Sequence, residues 1–438
     1  MKETISKLLL VIFDLLSMAM SIVVAYFVVT ILGWVDDTSY MNLYQHITSI
    51  GIYLITIFLF AYSGVYWYRF DFWSESKIII KSIIASFVLL LAYLAITKSI
   101  DQYSRGILIF SYVMMMFAVP LVKYLAKTTM YRFGIWSRAV KVISDEQDLK
   151  VEIFLNPYLG YTKSTKADTK TIFINPKHRS IDRLAELLDI EMHKRDRVIF
   201  VPALNSYDLT QSQIYNLSAS KNNLIVLTNK LKSKPRQLLQ NIFNYILAIL
   251  LLPILLPIIG ILAYKIKRES PGPIFFAHNR IGKNGKIIPT LKFRSMYQDS
   301  KARLEKLLSE NDEIRQEWQA NFKLKNDPRV TKIGAFLRKT SLDELPQIFN
   351  VLKGEMNFVG PRPVVQEEID KYYKKDANYY FMVKPGITGL WQVSGRSDTD
   401  YDFRIRTDKW YIQNWSLWLD VVIMFKTVKV VLFREGAY

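Results

Sequence analysis

The sequence predicts a membrane protein in three parts: an α-helical transmembrane bundle, a small α/β (Rossmann-like) domain, and a mostly helical C-terminal domain that opens with a re-entrant membrane helix. Three observations carry this reading. Four apolar stretches fill the first third of the chain, short β-branched runs alternate with polar stretches in the middle, and a fifth apolar stretch is interrupted by two prolines. The corresponding boundaries are 1–130 for the bundle, 139–235 for the α/β domain, 238–268 for the helix-break-helix and 269–438 for the C-terminal domain. At 438 residues the chain exceeds what one ordinary core organises, so several folded units are expected.

The four stretches run from Leu8 to Trp34, Ile47 to Tyr66, Ile78 to Ile96 and Ile107 to Leu125. Each is near the ~20 residues that cross a bilayer core. The first is too long for a signal-peptide core and is read as a retained anchor. Basic residues flank the bundle unevenly: none lies between Lys7 and Arg69, whereas Lys2, Lys7, Arg69, Lys77, Lys127, Arg132 and Arg138 sit at one set of ends. By the positive-inside tendency both ends of the bundle are cytoplasmic, although the loop with Lys98 and Arg105 runs against it. Asp14 in the first span is either a functional polar residue or one packed within the bundle or near the headgroups.

The whole chain carries 58 Lys and Arg against 39 Asp and Glu, a net +19 that calls for an anionic partner. With long apolar runs present, anionic membrane lipids fit that partner and nucleic acid does not. The chain has no cysteine and its four histidines show no ligand spacing, which excludes disulfides and thiolate metal sites.

From about Ala139 to Lys234 the runs VKVI, TIFIN, RVIFVP and NLIVLT alternate with stretches such as DRLAELLDIEMHKR, a pattern that predicts a parallel sheet with helices. The first strand leads into SDEQDLK, not a glycine-rich turn, so a dinucleotide site is not supported there. The run from Asn241 to Arg268 contains Pro253 and Pro257 and is basic on both flanks, with Lys230, Lys232, Lys234 and Arg236 before it and Lys265, Lys267 and Arg268 after it. A re-entrant helix-break-helix satisfies both the prolines and the charges; a proline-kinked spanning helix is the alternative.

The chemistry-bearing motifs lie in the last 170 or so residues: HNRIGKNGK, TLKFRSM, LRKTSLDELPQIFNVLKGEMNFVGPRP, VKPGITGLWQVSGR and KWYIQNWSLWLD. Asp343 and Glu344 stand just ahead of Pro346 and an apolar helix-like run, where acidic residues serve as caps; Ser341 is a further cap candidate. Their cationic company points elsewhere. Lys292, Arg294, Arg338, Arg362 and Arg396 all lie in or beside glycine- and proline-bearing motifs, and guanidinium forks suit phosphate oxygens. Two carboxylates amid such cations suit a diphosphate and Mg2+, one carboxylate attacking phosphorus while the other holds the metal. The turn GPRP fixes Arg362 on stiff backbone, and KPGITG is a further Pro-Gly turn whose backbone can approach a ligand closely.

From about Gln240 to the C-terminus the chain resembles the bacterial sugar transferase family, the polyprenyl-phosphate hexose-1-phosphate transferases. The matching pieces, in order, are the proline-bearing hydrophobic segment, NRIG, KFRSM, SLDELPQIFNVLKGEMNFVGPRP and KPGITGLWQVSGR. The four spans and α/β domain ahead of them are similar to the long-form members, which include undecaprenyl-phosphate galactose and glucose phosphotransferases.

The resemblance implies that Asp343 is the nucleophile that takes a phosphosugar from a UDP-sugar and releases UMP, and that Glu344 helps to bind Mg2+. It implies undecaprenyl phosphate as acceptor, the bacterial cytoplasmic membrane as location, and a catalytic domain on the cytoplasmic side. It also implies that Lys292, Arg338, Arg362 and Arg396 serve the phosphate or nucleotide site, and that Pro257 makes the bend of the membrane hairpin. Leu256 stands where relatives often carry a serine, and Pro253 is a second candidate for that bend. Trp410, Trp415 and Trp418 are read either as headgroup-level residues or as helix packing, and the bundle, the α/β domain and the helix SKARLEKLLSENDEIRQEW offer surfaces for a homodimer. The competing functional readings are a membrane-anchored nucleotide-sugar-modifying enzyme, which would need a glycine-rich dinucleotide turn, and an inactive scaffold of a polysaccharide assembly complex.

Overall fold

A computed structural model gives the fold, and the residues it describes are 2–34, 40–144, 147–166, 169–175, 181–201, 209, 212–216, 223–226, 230–310, 315, 324, 327–395 and 400–433. The chain divides into two compact units, Met1–Leu204 and Asn205–Tyr438.

The first unit begins with helices α1 (Lys2–Ile31), α2 (Tyr40–Thr48), α3 (Ile50–Tyr62), α4 (Phe72–Ile96) and α5 (Arg105–Arg132). Asp71 caps α4, its carboxylate accepting from the Trp73 and Ser74 amides, and Ser104 caps α5. Leu10, Met18, Ile22, Phe60, Ile79, Ile83, Met115 and Val119 fill the centre of the bundle. Leu16, Met20, Phe27, Leu54, Phe58, Phe117 and Leu121 point outward and are exposed, a surface that suits lipid and not water. Among the described residues, five helical segments are long and apolar enough to cross a membrane: Lys2–Ile31, Leu43–Tyr62, Phe72–Ile96, Arg105–Arg132 and Lys234–Glu269.

The bundle interior is not wholly apolar. Lys123 lies 2.6 Å from Asp14, which also accepts the Tyr66 hydroxyl at 2.7 Å. One turn along α5, Lys127 pairs with Glu75, whose carboxylate accepts the Tyr158 hydroxyl at 2.6 Å. Asp14 is therefore packed inside the bundle, one of the two roles its sequence position allowed. Arg69 reaches across to the α/β domain, donating to the carbonyls of Leu159 and Gly160 and lying 4.0 Å from the Trp136 ring centre.

That domain has strands β1 (Arg138–Ile143), β2 (Tyr161–Lys163), β3 (Thr171–Ile174) and β4 (Arg197–Phe200) in the order β2-β1-β3-β4, all parallel, with helices α6 (Gln147–Phe154) and α7 (Ile181–Lys194) in the connections. The parallel sheet expected from the β-branched runs is present. NLIVLT does not join it: β5 (Gln213–Asn216) and β6 (Asn223–Val226) form a separate antiparallel pair. Only six residues separate those strands, too few for the crossover that parallel pairing requires.

The second unit continues with α8 (Lys234–Glu269), then the antiparallel hairpin β7 (Phe275–Ile281) and β8 (Ile287–Phe293), and α9 (Ser300–Glu310). There follow α10 (Lys332–Thr340), α11 (Gln347–Leu352), β9 (Asn357–Val359), β10 (Gly386–Thr388), α12 (Tyr401–Gln413) and α13 (Leu417–Phe433). The body is mostly helical, as expected. Pro253 and Pro257 fall inside α8, whose secondary structure runs unbroken for 36 residues. At about 1.5 Å per residue it measures about 54 Å along its path, against a bilayer core of about 30 Å.

Both parts of α8 dock on the same body. Near its start the Asn244 side chain accepts the Phe358 amide at 2.7 Å and Gln240 donates to Asp420 at 3.3 Å. At its end Glu269 accepts the amides of Lys332 and Ile333 at 2.6 and 2.8 Å. Ala248, Ile259, Leu262 and Ile266 share one core with Phe293, Leu337, Ile348 and Met356.

Removing one partner of a buried ion pair strands the other charge. Glu75→Gln or Lys127→Met alone should destabilise the first unit by about 3–5 kcal/mol, read as a lower melting temperature in detergent. Replacing both by leucine should recover most of the loss; equal melting of all three variants and the parent would disprove a paired role.

Candidate active site

The acidic pair sits on a turn that the local sequence forces. Thr331 starts α10 by accepting the Gly334 amide at 2.9 Å. The helix ends at Ser341, which takes a left-handed conformation at φ 57°, uncommon for a residue with a side chain. Leu342–Glu344 then form a single tight 3-10 turn, and Pro346 precedes α11. Ser341 makes no side-chain cap bond, and the acidic residues lie in the turn before α11 instead of in its first turn.

β8 brings Lys292 to the pair. Asn350 on α11 fixes the strand by accepting the Leu291 amide at 3.0 Å and donating to the Pro289 carbonyl at 2.8 Å. The Lys292 ammonium then lies 2.7 Å from Glu344 and 3.6 Å from Asp343. Arg362 approaches the same Glu344 oxygen at 3.7 Å. The side chains of Asp343 and Glu344 are only 16% and 18% exposed, so both are largely removed from water. Burial pushes the Asp343 carboxyl above its ordinary value; Lys292 pulls it back, Glu344 adds to the rise and Arg338 opposes it.

The glycine-bearing turns explain how Arg362 is held. β9 and β10 pair in parallel, and Gly360 donates to the Thr388 carbonyl while Gly386 donates to that of Pro361, each at 2.9 Å. A Cβ on Gly386 would lie 2.1 Å from the Gly360 amide nitrogen, and one on Gly360 would lie 2.6 Å from the Lys384 carbonyl oxygen. The backbone that the sequence offered to a ligand instead approaches the other motif, and GPRP and KPGITG form one rigid joint.

The other expected cations part company. Arg338 on α10 donates to the Ser295 hydroxyl at 3.0 Å and lies close enough to influence Asp343. Arg294 is taken up by the carbonyls of Ser270 and Pro271 at the end of α8 and does not join the carboxylates. Arg396 lies outside the described residues. Pro253 and Pro257 belong to the membrane helix. Trp415 is buried with its indole donating to Asp420 at 3.0 Å, which is helix packing; Trp410 and Trp418 are half-buried.

Sequence reasoning missed Arg280, Glu368, Tyr401 and Arg404, which continue the charged surface beyond Arg362. It also passed over the polar residues Gln240 and Asn244 in the apolar run, whose amides in that setting were a signal of docking. Among the described residues no three acidic or histidine side chains converge on a point that would hold a metal alone. The donor set here is two neighbouring carboxylates, which suits an ion that takes its remaining oxygens from a bound phosphate and from water.

A largely buried acidic pair held by a lysine and an arginine, on a body carried by a long apolar helix, defines a membrane protein whose site can engage phosphate and present a carboxylate to it. Residues 235–434 match the family described as Bacterial sugar transferase. The chain is 37% identical over 404 residues to the undecaprenyl-phosphate galactose phosphotransferase of Salmonella typhimurium, covering 85% of this chain and 84% of that one. It is 36% identical over 248 residues to the UDP-glucose:undecaprenyl-phosphate glucose-1-phosphate transferase of Escherichia coli, covering 55% and 50% of the two chains. The exopolysaccharide production protein ExoY of Rhizobium meliloti is 45% identical over 196 residues, 45% of this chain and 86% of that protein. The chain belongs to the bacterial sugar transferase family, the polyprenyl-phosphate hexose-1-phosphate transferases.

Since Lys292 lowers the Asp343 pKa that burial raises, Lys292→Met should lift it further. A carboxylate that must be ionised to react gains activity as pH rises through its pKa. The acid limb of the pH–activity profile should therefore move to higher pH in that variant, and an unchanged limb would dissociate Asp343 from the activity.

Proposed function

We propose that this enzyme transfers hexose 1-phosphate from a UDP-sugar to undecaprenyl phosphate, yielding undecaprenyl-diphosphate-sugar and UMP, and so starts the synthesis of a surface polysaccharide such as O-antigen, capsule or exopolysaccharide. The observation that carries the reading is the Lys292 ammonium set between Asp343 and Glu344 with Arg362 beside them. The names of the Salmonella and Escherichia coli relatives support the substrate classes.

In the first step an Asp343 carboxylate oxygen attacks the phosphorus that bears the sugar. The bond from that phosphorus to the bridging oxygen breaks, and UMP leaves with the electron pair. In the second step a phosphate oxygen of the polyprenyl phosphate attacks the same phosphorus, the bond to Asp343 breaks, and the carboxylate is restored. Lys292 and Arg362 offset the charge of the diphosphate and keep the two acidic side chains apart in role. Glu344 would hold Mg2+ together with phosphate oxygens of the donor; the ion supplies further charge neutralisation when bound. Partial burial of Asp343 excludes water from the carboxylate before it reacts.

The docking of both parts of α8 on one body supports the re-entrant reading, because a helix that crossed the bilayer would deliver its ends to opposite sides. Such a hairpin would hold the body at one membrane face, level with the phosphate of the lipid acceptor, and the basic residues on both flanks of α8 favour the cytoplasmic face of the bacterial inner membrane.

Asp343→Asn should abolish UMP release from every UDP-sugar tested with Mg2+ and undecaprenyl phosphate, whereas near-normal turnover would remove Asp343 from the mechanism. Because the chain has no native cysteine, single cysteines at Lys230 and Lys267 report topology cleanly. Both should react with an impermeant thiol reagent from the same side of the membrane; labelling from opposite sides would establish a spanning helix.

A further inference from the structure

Beyond the acidic pair, the charged surface continues into a buried cluster that the two-step scheme leaves unused. Ile281, next to Arg280, forms an antiparallel bridge with Val364, its amide donating to the Val364 carbonyl at 2.8 Å. Arg280 thus flanks the segment that carries Arg362, two residues before Val364. Tyr380 staples the two segments, its hydroxyl donating to the Ile281 carbonyl at 2.8 Å and accepting the Val364 amide at 3.4 Å.

Behind Arg280, Glu368 stands between two guanidinium groups. One oxygen lies 3.5 Å from Arg280; the other lies 3.6 Å from Arg404 and accepts the Tyr401 hydroxyl at 2.8 Å. The Val365 amide donates to Glu368 as well, at 3.0 Å. Glu368 is thereby crowded with donors, and the Asp408 carboxylate acts on Arg404 as well. Asp408, one turn along α12 from Arg404, is fully buried and accepts the Tyr373 hydroxyl at 2.7 Å.

Arg404 is the unusual member. Its side chain is only 7% exposed, yet its Nε and Nη2 groups are buried without a hydrogen-bond partner. Its guanidinium carbon lies 4.9 Å from the ring centres of both Trp391 and Tyr401. Stacking holds the plane of the guanidinium but does not satisfy its N–H groups, and buried donors of a charged group are costly to leave unmade. An anion with at least two oxygens would answer these unmade donors.

We propose that Arg404, with Arg280, forms the seat for the nucleotide phosphate of the donor, the one that departs as UMP, while Lys292 and Arg362 face the phosphate that carries the sugar. The inference rests on the reaction proposed above and names a part of its site. It divides the cations by task. Those touching Glu344 serve the phosphorus under attack, and those around Glu368 hold the leaving group, so that the bridging oxygen lies between two cationic groups when its bond breaks. The same phosphate chemistry belongs to the lipid acceptor, and the two sources make different predictions.

The test uses the full chain in detergent or nanodiscs, comparing the parent with Arg404→Gln, Arg404→Lys and Arg280→Gln. UMP binding is measured by calorimetry, and KM is measured separately for the UDP-sugar and for undecaprenyl phosphate. Loss of a charged donor set should weaken UMP binding about ten- to hundredfold in Arg404→Gln, with a matching rise in KM for the UDP-sugar and none for the lipid. Arg280→Gln should fall in the same direction, and Arg404→Lys should recover part of the binding. Melting temperatures identify a variant that is merely unfolded, in which case Arg404→Lys and Arg280→Gln decide. UMP binding equal to the parent in folded variants overturns the seat, as does a rise confined to the lipid KM. A parent that releases no UMP from any UDP-sugar overturns the proposed reaction itself, and the seat with it.

Discussion

Asp343 and Glu344 are neighbours in the chain and mostly buried, and two carboxylates so placed lose their water together and repel one another. Lys292, 2.7 Å from one and 3.6 Å from the other, makes that arrangement tenable. Much of the second unit serves to put the lysine there. Asn350 fastens β8 to α11, the left-handed Ser341 ends α10 so that the tight turn can begin, and Glu269 at the end of α8 fastens the start of α10. The membrane helix and the site are thus coupled through α10 and through the core that α8 shares with β8 and α11.

A second constraint acts from the opposite side. The joint between GPRP and KPGITG closes only because Gly360, Gly386 and Gly389 carry no side chains, and it carries Arg362 on its rim. Lys292 and Arg362 therefore reach Glu344 from two independent pieces of backbone. A site fastened at two points in this way is preorganised, which matters for phosphoryl transfer because positioning and charge compensation make up most of the catalysis.

The broad architecture was legible in the sequence because its signals are long-range in composition: apolar stretches of spanning length and β-branched runs separated by helical ones. NLIVLT misled because a single β-branched run does not reveal its partner; the short connection before it decided in favour of an antiparallel pair. At the site, the acidic pair and Lys292 were legible from motif company, whereas Arg294 resembled them in sequence and was drawn instead to the carbonyls of Ser270 and Pro271. Arg280, Glu368 and Arg404 were not legible, since they come from three separated segments and only the bridge at Ile281 and Val364 and the packing of α12 unite them. The buried pairs of the bundle are of the same kind: Asp14 was visible as an oddity, but Lys123, 109 residues away, was read only as part of the chain's excess charge.

In the proposed reaction Asp343 becomes covalently bonded to the phosphosugar before the lipid is engaged. Intact-protein mass spectrometry after incubation with a cognate UDP-sugar and Mg2+, without polyprenyl phosphate, tests it most directly. UMP should be released up to one equivalent, with a mass increase of one hexose phosphoryl group that maps to Asp343 and disappears when the lipid phosphate is added. UMP release that requires the lipid from the outset, with no protein adduct under any donor, would contradict it.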